Sequence, residues 1–171
     1  MTPTPTIELA SIADIPDLMS LMRDCVMAMR KLGIDQWDDV YPNEALVTED
    51  VAGRSLYVLK SEDSLIGCIT IDDKPDPNWT GLAWSTPDEG IAAVHRVMIH
   101  PLQQGRGLAK TLMVHAESVA RARNAHTIRL DAFTQNPPSL KLYEGLGYSR
   151  TGTAQMRKGV FVGFEKVLNA R

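Results

Sequence analysis

This sequence has few cysteines, no excess of basic charge and no long apolar run, and each shortage removes a class of protein. Cys25 and Cys68 are the only cysteines in 171 residues. One falls in a helical pattern and the other in a strand pattern, which suits buried thiols in a reducing, cytoplasmic setting better than a disulfide framework. A formal net charge of −3 gives no broad basic footprint for a phosphodiester backbone, so nucleic acid is not an expected partner. No apolar run approaches the roughly 18 residues needed to span a bilayer, and "MTPTPTIELAS" has no basic region followed by an apolar one. No membrane partner is expected either. The four histidines have no ligand spacing with cysteine or with one another, so the sequence predicts no metal.

What remains is a chain 44% hydrophobic, enough for one domain over 1–171 with its core over about 6–168. After the short stretch "TIELAS", Asp14 can cap a helix in which Ile15, Leu18, Met22, Cys25, Met29 and Leu32 recur at steps of three and four, ended by Gly33. Methionine at that spacing reads as core packing. "SLYVLK" and "SLIGCITID" form a hairpin, "IAAVHRVMI" a strand, 108–124 a helix, and "TIRLDAF" another strand. Asn136 before Pro137 opens a further helix, and two extended stretches close the chain. The order predicts a mixed α/β or α+β sheet, with 91–133 a parallel strand-helix-strand crossover.

"HPLQQGRGLAK" lies between that strand and its helix, the context in which a glycine pair is informative. Amides at a helix start, aided by the helix dipole, stabilise an anion, and Gly105 and Gly107 let the backbone approach it closely. Arg106 and Lys110 can add charge or stand as ordinary solvated side chains. A Walker-type loop fails because Ala109, not glycine, precedes Lys110. A dinucleotide fingerprint would need a third glycine at Lys110, with Asp131 as its acid. That leaves an NAD(P)-binding oxidoreductase as an alternative.

The flanks carry more. "VMIHPLQQGRGLAKTL", through Gln104, Gly107 and Ala109, resembles the acetyl-coenzyme A loop of the GNAT superfamily of N-acetyltransferases. "NPPSLKLYEGLGY", through Asn136, Ser139, Leu142, Tyr143, Gly147 and Tyr148, is similar to that family's second signature. The resemblance implies a GNAT fold, an α+β, mostly antiparallel sheet splayed between its fourth and fifth strands. It implies acetyl-CoA as cofactor, with the pyrophosphate on Gln104, Gly105, Arg106, Gly107, Leu108, Ala109 and Lys110. The backbone of Val97, Met98 and Ile99 would bind the pantetheine arm like an added strand. Asn136, Ser139 and Tyr143 would also contact the coenzyme.

The activity so implied is acetyl transfer to an amine by direct attack in a ternary complex, with Tyr143 returning a proton to the leaving thiolate. The base is left open between Asp131, twelve residues before Tyr143, and His95, which strand alternation puts on the face of Val97. The plainer alternative pairs Asp131 with Arg129 or Arg96 and leaves His95 a satisfied strand histidine.

The resemblance also implies that the acceptor pocket forms from the first helices and from two variable loops, 34–50 and 73–90. Residues 34–50 and 72–90 hold eleven acids against one lysine, with Trp37, Tyr41, Trp79 and Trp84 among them. Trp37, Tyr41, Trp84 and Asp131 are therefore expected to bind the acceptor, a cationic small-molecule or peptide amine. A homodimer is left open, as is a catalytically silent acyl-CoA-binding domain.

Overall fold

The computed structural model describes residues 3–169. Met1 and Thr2, which open the stretch read for a targeting signal, lie outside the described residues, as do Ala170 and Arg171 at the end of the 1–171 span. The elements in chain order are β1 (Thr6–Leu9), α1 (Ile15–Lys31), α2 (Glu44–Ala52), β2 (Leu56–Ser61), β3 (Ser64–Asp72), β4 (Ile91–Ile99), α3 (Leu108–Ala122), β5 (Thr127–Phe133), α4 (Pro137–Gly145), β6 (Ser149–Met156) and β7 (Gly159–Val167). They fall into two compact units. One holds residues up to Thr70 with Arg96–His115, and the other holds Ile71–His95 with the residues from Ala116 onward.

In the first unit the strand order is β1-β2-β3-β4, and "TIELAS" supplies β1, antiparallel to β2. Leu18, Leu21, Met22 and Cys25 of α1 pack with Val47, Val51, Leu56, Val58, Cys68 and Met98 as one apolar core, so the methionine stripe is packing. Its last expected member departs from that pattern: Leu32 caps the helix C-terminus and is 75% exposed, while Gly33 takes the left-handed φ of +76° that ends it. Asp14 does not cap α1 through its side chain either. Its carboxylate instead accepts from the Ser11 backbone N–H at 2.8 Å and pairs with Lys60 at 2.9 Å.

The acidic segment 34–50 is not loop throughout: its second half lies in α2. Asn43 caps it, accepting from the Leu46 amide at 2.9 Å, and Val47, Asp50 and Val51 are its buried face.

In the second unit the order is β4-β5-β7-β6. β4 pairs with β5 in parallel, as the strand-helix-strand pattern predicts, but only at Ile91–Ala93 against Thr127–Arg129. β5 continues with β7 as far as Phe133. The parallel ladder thus stops early, which is the divergence expected between the fourth and fifth strands. The long connection after β3 is not loose: Trp79 and Leu82 are buried with Ala93, and Trp84, Ala154 and Met156 pack against them.

Candidate active site

The glycine-rich turn belongs to the first unit. Gly105 and Gly107 both sit at φ +76°, and a Cβ built on either would meet nothing within 4 Å. Conformation rather than crowding therefore demands glycine here, and the space over the turn is open. Thr111 donates its amide to the Gly107 carbonyl at 3.1 Å. The amides of Leu108, Ala109 and Lys110 thus belong to the open first turn of α3, where the helix dipole favours an anion. Gln104 ties the turn back to β4 by donating from Nε2 to the Ile99 carbonyl at 3.1 Å, and Arg106 donates to Gln103. Lys110 is exposed. These residues fit a pyrophosphate held mainly by main chain.

The Ile99 carbonyl also accepts from the Cys25 thiol at 3.4 Å. Of the three residues expected to bind pantetheine through their backbone, Ile99 thus has its carbonyl already engaged. Just before them, Arg96 adopts a φ of +52° inside β4, a conformation uncommon for a residue other than glycine. Period-two alternation does not carry through such a residue, so the inference that His95 shares a face with Val97 loses its basis. The Arg96 side chain donates to the Tyr41 hydroxyl at 2.8 Å and pairs with Asp50, which also accepts from Thr70 at 3.1 Å. Trp37 lies half-buried against the core of this unit.

The second unit gathers the acid–base candidates. Asp131 accepts from Trp79 Nε1 at 2.7 Å. The Trp79 ring stacks on the His95 imidazole at 5.7 Å between centroids, 16° from parallel. His95 Nε2 lies 3.3 Å from Asp72 Oδ1. A carboxylate there accepts, which places the proton on Nε2 and leaves the Nδ1 lone pair as the basic position. Arg129 pairs with Asp88 and Arg96 with Asp50. Tyr143 is buried on α4, edge-on to Tyr148 and tilted against Phe164. Burial, with the nearby Asp131 charge, pushes its phenol well above the ordinary tyrosine range, so it remains protonated at neutral pH. Asn136 caps α4, accepting from the Ser139 amide at 3.4 Å.

The sequence did not single out Trp79 or Asp72 for this site. Trp79 is 1% exposed, so it cannot serve as an open aromatic wall. Trp84 is half-buried, with the Arg129 guanidinium 4.7 Å from its ring centroid. The arginine of the chain itself thus occupies the cation position that an acceptor was expected to take over that face, as Arg96 does 5.8 Å from the Tyr41 centroid.

A family model for the acetyltransferase (GNAT) family matches residues 18–148. The chain belongs to the GNAT acetyltransferase family. As a GNAT chain it shares the fold of an acetyltransferase of that family from Streptococcus agalactiae 2603, with a TM-score of 0.85 at 22% identity over 99% of each chain. It likewise resembles yncA from Salmonella typhimurium, solved with its cofactor acetyl-CoA, with a TM-score of 0.75 at 18% identity over 98% of this chain and 96% of that one. A Salmonella typhimurium L-methionine sulfoximine/L-methionine sulfone acetyltransferase is 37% identical over 62 residues, 36% of this chain. That match spans 35% of the relative's length. Family membership removes the dinucleotide-binding alternative.

Proposed function

We propose that this GNAT chain is one acetyltransferase domain, over about 6–168, that moves an acetyl group from acetyl-CoA to an amine within a ternary complex. The observation that carries the reading is the open glycine turn at the start of α3, with both glycines at φ +76° and free space above them. Acetyl-CoA supplies an activated acetyl thioester. Gln104–Lys110 hold its pyrophosphate, and Val97 and Met98, with the Ile99 amide, offer main-chain groups to the pantetheine arm and the thioester oxygen.

Asp131 or His95 takes the proton that the amine must lose as its nitrogen bonds to the acetyl carbon. Tyr143, held protonated by burial and the Asp131 charge, donates to the sulfur as the carbon–sulfur bond breaks. A phenol this reluctant to ionise helps chiefly as a hydrogen-bond donor to the developing thiolate.

The acceptor is a small-molecule or peptide amine. Its cationic character rests on the excess of acids in 34–50 and 72–90, two of which, Asp50 and Asp88, pair with arginines of the chain itself. The partial relative that acts on L-methionine sulfoximine and sulfone adds amino acids to the candidates. Buried free thiols at Cys25 and Cys68 favour a reducing, cytoplasmic setting.

Thiol release from acetyl-CoA is the test, run across polyamines, aminoglycosides, amino acids including L-methionine sulfone, and peptide N-termini. Release with at least one amine, reduced in Tyr143→Phe and Asp131→Asn, supports the reading. Binding of coenzyme without release over background for any acceptor leaves a silent acyl-CoA-binding domain instead.

A further inference from the structure

The long connection between β3 and β4 contributes one side chain that touches both candidate bases. Trp79 donates its indole N–H to Asp131 at 2.7 Å and lays its ring against His95 at 5.7 Å. It is buried with Leu82 and Ala93, with Trp84 packed against it. Asp76 fixes the turn that carries it by accepting from the Asn78 amide at 2.8 Å, and the Trp79 amide donates to the Asp76 carbonyl at 2.9 Å. A buried indole N–H needs an acceptor, and here the acceptor is the carboxylate of one candidate base while the ring lies on the other.

We infer that Trp79 is a positioning residue of the transfer reaction, holding Asp131 ionised and oriented as the base while its ring fixes the plane of His95. This inference rests on the acetyltransferase reading and adds a choice to it, because a donor on Asp131 favours the carboxylate that accepts a proton from the attacking amine. Tyr143 on α4 feels the charge of that carboxylate, and Arg129, two residues back on β5, pairs with Asp88. Asp72 Oδ1 lies 3.3 Å from His95 Nε2.

Trp79→Phe keeps an aromatic ring against His95 and removes the donor. With an amine substrate in hand, the variant should lose roughly tenfold or more in kcat, the scale of one charge-assisted hydrogen bond. The KM for acetyl-CoA should stay near the parent value. The acidic limb of the kcat profile should move to higher pH, since a carboxylate that loses a donor binds its proton more tightly. In a double-mutant cycle, Trp79→Phe should add almost nothing to Asp131→Asn. A lower rate with an unmoved pH profile, or effects that simply multiply in the double variant, would overturn the assignment and leave Trp79 a packing residue.

Carbon-13 detection of the Asp131 carboxyl titration separates this inference from the reaction itself. Its midpoint should rise in Trp79→Phe even if no amine is ever acetylated. An unchanged midpoint overturns the positioning role whether or not the enzyme turns over.

Discussion

The guanidinium of Arg129 lies over the Trp84 ring, 4.7 Å from its centroid. Around this contact the segment before β4 is fastened to its own unit. Arg129 donates to Asp88 at 2.6 Å, to the Pro87 carbonyl at 3.1 Å and to the Thr86 carbonyl, while the Ser85 amide donates to Glu165 at 2.8 Å. Arg129 and Glu165 stand opposite each other in the β5–β7 ladder, both buried. A segment whose acids suggest an acceptor wall is therefore a strap held by a buried arginine and a buried glutamate.

Removing the arginine should release that strap. Arg129→Met is expected to cost about 2–4 kcal/mol in urea unfolding, because Glu165 loses the buried cation opposite it and two carbonyls lose their donor. Asp88 keeps 80% of its side chain exposed, so Asp88→Ala should cost less than about 1 kcal/mol. Hydrogen exchange at the Ser85 amide provides the second reading: it should quicken in Arg129→Met and stay slow in Asp88→Ala. Equal costs for the two variants would mean the ion pair, not the burial, holds the strap.

Much of the scaffold was legible because it obeys local rules. The stripe through Leu18, Met22 and Cys25, the left-handed Gly33, and the Asn136 cap before Pro137 are each decided within a few residues of chain. So was the glycine turn, whose conformation requires the residues that mark it. The acidic segments misled for the opposite reason. Asp50 and Asp88 find their arginines 46 and 41 residues away, and composition cannot pair charges across such a distance. α2, capped by Asn43, escaped because its buried face includes Asp50 and so breaks the apolar pattern that marks a helix. Trp79 was counted as an aromatic among acids, whereas its hydrogen bond reaches 52 residues along the chain to Asp131.

Alkali should unfold this protein through its buried acids. Burial pushes the Cys25 and Cys68 thiols from 9.0 up to about 12, and it raises the Tyr143 and Tyr148 phenols well above 10.0. The unfolded chain therefore releases these protons first. Stability is full below about pH 9 and declines as pH rises toward the folded values, by about 1.4 kcal/mol per pH unit for each thiol in that window. Urea unfolding at pH 8 and pH 11 should show the loss, and Cys68→Val should remove one thiol's share of the slope. A slope unchanged by that substitution would remove Cys68 from the alkaline loss and leave it to Cys25 and the tyrosines.

The Asp50 cluster should behave as a buried charge that tolerates no missing partner. Asp50 accepts from Thr70 and pairs with Arg96, whose Nε is buried without a hydrogen bond among the described residues. Asp50→Ala leaves the guanidinium with only the Tyr41 hydroxyl and is expected to cost about 3–5 kcal/mol. Thr70→Val removes one neutral donor and should cost about 1 kcal/mol. Chemical denaturation of both variants checks the order, and an Asp50→Ala cost no larger than that of Thr70→Val would show that solvent reaches Arg96.

Gly107 and Lys110 separate main-chain from side-chain binding at the glycine turn. A methyl on Gly107 would touch nothing within 4 Å, yet the backbone there sits at φ +76°, where an alanine is strained by roughly 1–2 kcal/mol. Gly107→Ala should therefore weaken coenzyme A binding about tenfold or more, through a turn that no longer presents its amides in register. Lys110 is exposed, and its attraction for a phosphate is screened over about 8 Å at physiological salt. Lys110→Ala should lower affinity less than about threefold at 0.15 M salt, with a larger effect only at low ionic strength. Calorimetric titration of coenzyme A into both variants at two salt concentrations distinguishes the cases. A Lys110→Ala loss that equals the Gly107→Ala loss at high salt would mean the turn holds its anion by side-chain charge rather than by the amides of α3.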